Sequence, residues 1–70
     1  MKAKALRRKD TKEFVHIIFF DETAFVFTCG LPELRPEGAT IELMKVYYRY
    51  NPEIDFRELE LVELEITINN

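Results

Sequence analysis

Thr40-Ile-Glu-Leu-Met-Lys-Val-Tyr-Tyr-Arg-Tyr50 is the stretch on which the fold turns. Read as a helix, it opens on Thr40 as N-cap, with Glu42 in the first turn and Arg49 in the last. Those charges match the two ends of the helix dipole. Asn51-Pro52 then stops it, because the residue before a proline disfavours α geometry. Ile41, Met44 and Tyr48 share one face of that helix, and Leu43, Tyr47 and Tyr50 broaden it. Read as a strand, the same segment alternates Met44, Val46, Tyr48 and Tyr50, and valine and tyrosine do prefer sheets. The cap and stop signals favour the helix. So does the need for an element to cover a sheet.

Everything before this stretch reads as β structure. Phe14-Val-His-Ile-Ile-Phe-Phe20 is the strongest β signal, rich in aromatic and β-branched residues. Its near-continuous apolarity suits a central strand covered on both faces, or covered on one face and paired with another subunit. Ile17 and Phe19 are the residues expected in its core. Before it, Lys2–Lys9 is a short basic strand, and the polar cluster Lys9-Asp10-Thr11-Lys12 is the connecting loop. After it, Asp21-Glu22-Thr23 turns the chain into Ala24–Cys29, with Phe25, Phe27 and Cys29 on one face. Gly30–Ala39 holds both glycines and two of the three prolines and is a loop by composition. Leu31 and Leu34 are expected to tuck against the core.

Beyond the helix, Glu58–Ile68 is the last strand. Val62, Leu64, Ile66 and Ile68 alternate with Glu63, Glu65 and Thr67, a half-buried pattern. Leu59 and Leu61 sit in the opposite phase, which predicts a β-bulge or a strand that starts near Leu61. The expected fold is therefore α+β: an antiparallel sheet of about four strands with one helix packed on one face. Its order is β-β-β-α-β, in one domain spanning residues 1–70.

Charge says which strands meet. Residues 1–12 carry Lys2, Lys4, Arg7, Arg8, Lys9 and Lys12 against one acid, Asp10. Residues 53–65 carry Glu53, Asp55, Glu58, Glu60, Glu63 and Glu65 against one base, Arg57. The helix lets the final strand return beside an earlier one, and the basic first strand is its natural neighbour. Opposite charges across two strands contribute only ~0.2–1 kcal/mol each. They choose the register more than they hold the fold.

A chain this short buries only about 60% of its unfolded surface, so it needs help from staples. Cys29 is the only cysteine and His16 the only histidine, which excludes an intramolecular disulfide framework and a zinc site of several thiolates. Reduced cysteine suits a cytoplasmic protein. The remaining staple is oligomerisation, and a homodimer is the simplest form. The basic start lacks the apolar stretch of a signal peptide, and no run approaches the roughly 20 apolar residues that span a bilayer.

Catalytic chemistry finds few footholds. There is no serine, and Cys29 with His16 would be the one nucleophile–base pair, on adjacent strands. Each reads more simply as a residue of the sheet. Glu63 and Glu65 point the same way about 7 Å apart by strand geometry, with no histidine to complete a metal site. The glycines fit no phosphate-binding loop. The chain is expected to be non-enzymatic, with no catalytic residues, no cofactor and no metal.

Two binding surfaces remain. Tyr47, Tyr48, Arg49 and Tyr50 cannot all be buried on one helix face, and an exposed tyrosine–arginine group is the composition of an interface hot spot. Lys2, Lys4, Arg7, Arg8, Lys9 and Lys12 form a basic patch that could grip phosphates, with a tyrosine stacking on bases. The rest of the chain is acidic and repels phosphates, and the net charge is −3. The acidic face over Glu53–Glu65, with Asp21, Glu22 and Glu33, could instead imitate a nucleic-acid backbone and occupy a protein that binds one. The compact layout, basic start and terminal Leu61-Val-Glu-Leu-Glu-Ile66 strand resemble small accessory proteins of bacteriophages and prophages, with no motif from which a function transfers. The expected function is that of a small protein-binding or accessory protein, self-associating or partnered. A nucleic-acid-associated module, or an acidic mimic of nucleic acid, is the alternative.

Overall fold

The computed structural model describes residues 1–67. In chain order it forms strands β1 (Lys2–Arg8), β2 (Phe14–Phe20) and β3 (Thr23–Cys29), helix α1 (Ile41–Tyr47), a 3₁₀ turn (Phe56–Glu58) and strand β4 (Leu59–Glu65). The sheet is antiparallel in the order β3-β2-β1-β4, so the basic first strand does lie beside the acidic last one. The α+β arrangement and the order β-β-β-α-β are those expected from the sequence.

Thr40 caps α1 as read: its hydroxyl accepts from the Leu43 N–H at 3.1 Å. The helix ends sooner than expected, with Tyr48 as C-cap and Lys45, not Arg49, as the base in the last turn. Two tight turns follow, in which Asn51 N–H donates to Tyr48 C=O at 2.9 Å and Ile54 N–H donates to Asn51 C=O at 3.1 Å. They carry Ile54 down into the core, and that burial competes with continuing the helix.

Leu6, Val15, Ile17, Ala24, Met44, Tyr48, Ile54 and Leu59 form the core, with Ile41, Phe56 and Leu61 packed on its margin. Ile17 lies where the sequence places it. Phe19 does not: it is 46% exposed, stacked on the Tyr48 ring at 5.7 Å. The reason is length. Seven helical residues span about 10 Å, whereas seven strand residues span about 23 Å, so α1 cannot cover the β2–β3 hairpin to its tip. Nor is β2 covered on both faces, as its apolarity suggested.

The sheet also splays. β1 and β2 are Cα partners only at Arg7 and Phe14, beside their connecting loop. Farther along β1, Arg35 takes the place of β2, exchanging backbone hydrogen bonds with Lys4 at 2.9 and 2.8 Å. The Arg35 side chain reaches under the helix, where Nη1 donates to the Tyr48 hydroxyl at 3.5 Å. That anchor leaves Leu31 and Leu34 exposed, contrary to the expectation that they tuck inward.

β4 pairs with β1 without a bulge, in unbroken register from Arg8–Leu59 to Lys2–Glu65. The change of phase at Leu61–Val62 reflects two apolar faces. Leu59 and Leu61 point to the helix side with Leu6, and Val62 and Leu64 point to the other side with Ala5 and Ala3. The end of the expected strand at Ile68 lies outside the described residues. Among those residues, no helix is long and apolar enough to cross a membrane.

Candidate interaction surface

The basic patch is largely consumed by contacts within the chain. The Arg7 guanidinium donates to the Glu60 carboxylate, and Lys12 Nζ approaches the same carboxylate at 3.7 Å. Arg8 makes a two-pronged contact with Asp10 at 3.0 and 2.9 Å and lies 3.6 Å from Glu58. Lys2 pairs with Glu63 at 3.7 Å, while Lys4 Nζ donates to the Ala39 carbonyl at 2.7 Å. Lys4 and Lys9 have no ion pair among the described residues.

These contacts shift the acids as physics requires. Hydrogen bonding from Arg7, then its charge and that of Lys12, holds the Glu60 carboxyl below its ordinary value. Asp10 is pulled down to about 2, first by the hydrogen bond from Arg8 and then by the Thr11 N–H. The hydrogen bonds that Arg8 donates to Asp10 in turn raise Arg8.

The helix end separates the four residues of the tyrosine–arginine group. Tyr47 and Tyr50 are 73% and 80% exposed, and Arg49 lies 4.7 Å over the Tyr50 ring. Tyr48, by contrast, is 7% exposed and packed in the core, so its ring is not available to a partner. It is the one member of the group that points along the Met44 face of α1. Leu43 and Val46 extend the exposed side, next to an open groove of about 390 Å³ lined by Arg35, Pro36, Leu43, Met44, Tyr47 and Tyr48.

A second apolar surface was missed from sequence. On the sheet face away from α1, Ile18 is opposite Phe25, and Phe20 and Phe27 flank them. All four are exposed, Phe20 most of all at 69%. The His16 ring stacks on Phe27 at 5.1 Å and closes one end of this row. The signal was present in Asp21-Glu22: a two-residue turn fixes the hairpin register, and alternation then gives two apolar faces with one helix to cover them.

His16 and Cys29 do not form a nucleophile–base pair. His16 Nε2 donates to the Leu31 carbonyl at 2.6 Å, while the Leu31 N–H lies 3.4 Å from Cys29 Sγ, so both side chains hold the start of the loop. Among the described residues no group of His, Cys, Asp or Glu is placed to hold a metal ion. A second open cavity, of about 510 Å³, lies between β3 and the segment before β4, lined by Val15, Val26, Thr28, Ile54, Asp55 and Leu59 among others.

In comparisons with protein-family models, with curated proteins and with solved structures, nothing matches this chain.

Proposed function

We propose that this chain is a small non-enzymatic accessory protein that works by binding protein, through apolar surface that its own fold leaves uncovered. The observation that carries this reading is the row Ile18, Phe20, Phe25 and Phe27 on the open face of the β2–β3 hairpin. Water-exposed aromatic rows of this kind are characteristic of interaction sites, because each ring gains about 25 cal/mol per Å² when a partner covers it. The exposed rings of Tyr47 and Tyr50, with Arg49, supply a second surface of hot-spot composition.

The nucleic-acid reading draws on the same basic residues that β4 and the loops already engage. Phosphate binding would have to break Arg7–Glu60 and Arg8–Asp10 before either arginine could contribute, which favours the protein-binding reading. Affinity capture with the intact chain, against a Phe20→Glu, Phe25→Glu variant and a Tyr47→Glu, Tyr50→Glu variant, tests the proposal. A partner, or a second copy, held by the native chain and released by one of the variants supports it. Retention on heparin that falls steeply with salt, with no protein held, would favour the nucleic-acid alternative.

A further inference from the structure

The two edges of the sheet differ in kind. β4 carries Glu60, Glu63 and Glu65, and charge along an edge discourages a further strand. β3 reads Thr23-Ala-Phe-Val-Phe-Thr-Cys29, with no charge and no proline. Beyond the sheet's own ladders, none of the described backbone hydrogen bonds involves it. It is an unguarded edge.

The turn before β3 decides which of its backbone groups are free. Asp21 and Glu22 have φ of 49° and 66° and link the Cα partners Phe20 and Thr23. Two positive φ values in a two-residue loop define a type I′ turn, closed by a hydrogen bond from the Thr23 N–H to the Phe20 carbonyl. Bonded and non-bonded pairs alternate from that point. Thr23, Phe25 and Phe27 therefore turn their backbone groups toward β2, and Ala24, Val26 and Thr28 turn theirs outward.

We propose that the partner of this edge is a second copy of the chain, its β3 antiparallel to the first about a two-fold axis at Val26. The inference rests on the protein-binding reading above and names the partner. In this register Val26 faces the second copy's Val26, Ala24 faces its Thr28, and each such pair exchanges backbone hydrogen bonds. Phe25 faces the second copy's Phe27, the aromatic cross-strand pairing that sheets favour. The strand is thus complementary to itself, as a two-fold interface requires. Charge agrees. Asp21 and Glu22 lie beyond the strand end, opposite the uncharged Gly30 and Leu31, whereas pairing through β4 about an axis at Glu63 or Leu64 would set carboxylate against carboxylate. The row Ile18, Phe20, Phe25 and Phe27 becomes one continuous surface across both copies.

Sedimentation equilibrium and cross-linking of the full chain test this directly. The native chain should sediment at twice its 8.4 kDa. Val26→Pro removes an outward N–H at an edge position, where proline is tolerated, and should sediment as single chains with its circular dichroism kept. Thr23→Cys places a thiol opposite the second copy's Cys29 in a non-bonded pair, close enough for a disulfide. Diamide should turn most of that variant into a reducible dimer linked between positions 23 and 29. The native chain should stay uncross-linked, its two Cys29 residues lying about 20 Å apart by strand rise. A native chain that sediments as single copies at every concentration overturns the pairing, and so does a Thr23→Cys variant that fails to cross-link, whether or not Val26→Pro folds. A dimer that survives Val26→Pro without that cross-link removes the β3 contact and leaves the protein-binding reading standing. A monomer that also captures no protein removes both.

Discussion

Arg7 and Glu60 are Cα partners across β1 and β4, and the Arg7 guanidinium donates to the Glu60 carboxylate. The contact lies where the splayed β1–β2 pair is still closed, beside Phe14, so it sits near the point at which β1, β2 and β4 meet. Lys12 approaches the same carboxylate from the β1–β2 loop. A single acid on the last strand thereby ties together the first strand and the first loop.

Reversing Arg7 to Glu should lower the melting temperature, and adding Glu60→Arg should restore part of the loss. The non-additivity of the two changes, read in a double-mutant cycle by thermal denaturation, measures the pair. It should shrink near 1 M NaCl, because both side chains are within reach of solvent ions. Strict additivity at low salt would mean that the pair has no part in stability.

Acid should destabilise the protein through these same contacts. Asp10, Asp55 and Glu60 all titrate below their ordinary values when folded, each held by an arginine hydrogen bond. A depressed carboxyl contributes stability that is complete above its unfolded value and is lost as pH falls through the folded one. For Asp10 that window runs from its model-compound value of 3.8 down to about 2. Melting temperature measured from pH 7 to pH 2 should therefore fall mainly below pH 4. Asp10→Asn should start lower at pH 7 and fall less steeply.

Core and hairpin positions should respond unequally to truncation. Leu6 is fully buried among both layers, and Leu→Ala at such a site costs about 2–5 kcal/mol, comparable to the whole stability of a small domain. Leu6→Ala should give little folded protein. Phe19→Ala gives up half-exposed area and one ring stack, a loss of about 1–2 kcal/mol, and should remain folded with a lower denaturation midpoint. Equal losses at the two positions would place Phe19 back in the core.

The tight turn of the β2–β3 hairpin should be improvable. Asp21 and Glu22 both sit at positive φ, where an L-residue with a long side chain is disfavoured by roughly 1–2 kcal/mol. Asn-Gly is the preferred pair for this turn. Asp21→Asn with Glu22→Gly should raise the denaturant midpoint, and no rise would mean that the turn relaxes in solution.

Much of the architecture was legible because it depends on local chemistry. Thr40 and Asn51-Pro52 bracket a helix by capping and by steric exclusion, and the bracket was right at its start and generous at its end. The charge contrast between the first and last strands correctly made them neighbours, since like-charged alternatives would repel. What misled was apolarity. Phe19, Leu31 and Leu34 are as hydrophobic as Ile17 and Leu6, and nothing local distinguishes a side chain that will be covered from one that will not.

The sequence by itself determined the elements, their order, and the sign of the charges that β1 and β4 present to each other, because capping, alternation and Coulomb attraction act between near neighbours or whole strands. Tertiary structure alone decided which apolar faces are buried. A seven-residue helix covers about 10 Å of a 23 Å hairpin, and Arg35 wedges between β1 and β2, so Tyr48 goes inside while Phe20, Phe25 and Phe27 stay in water. Pairing of β1 with β4 set Arg7 against Glu60 and Lys2 against Glu63, while Arg8 turned to Asp10 in the adjoining loop. Coverage is set by the finite lengths of elements packed against each other, a quantity that no single segment carries.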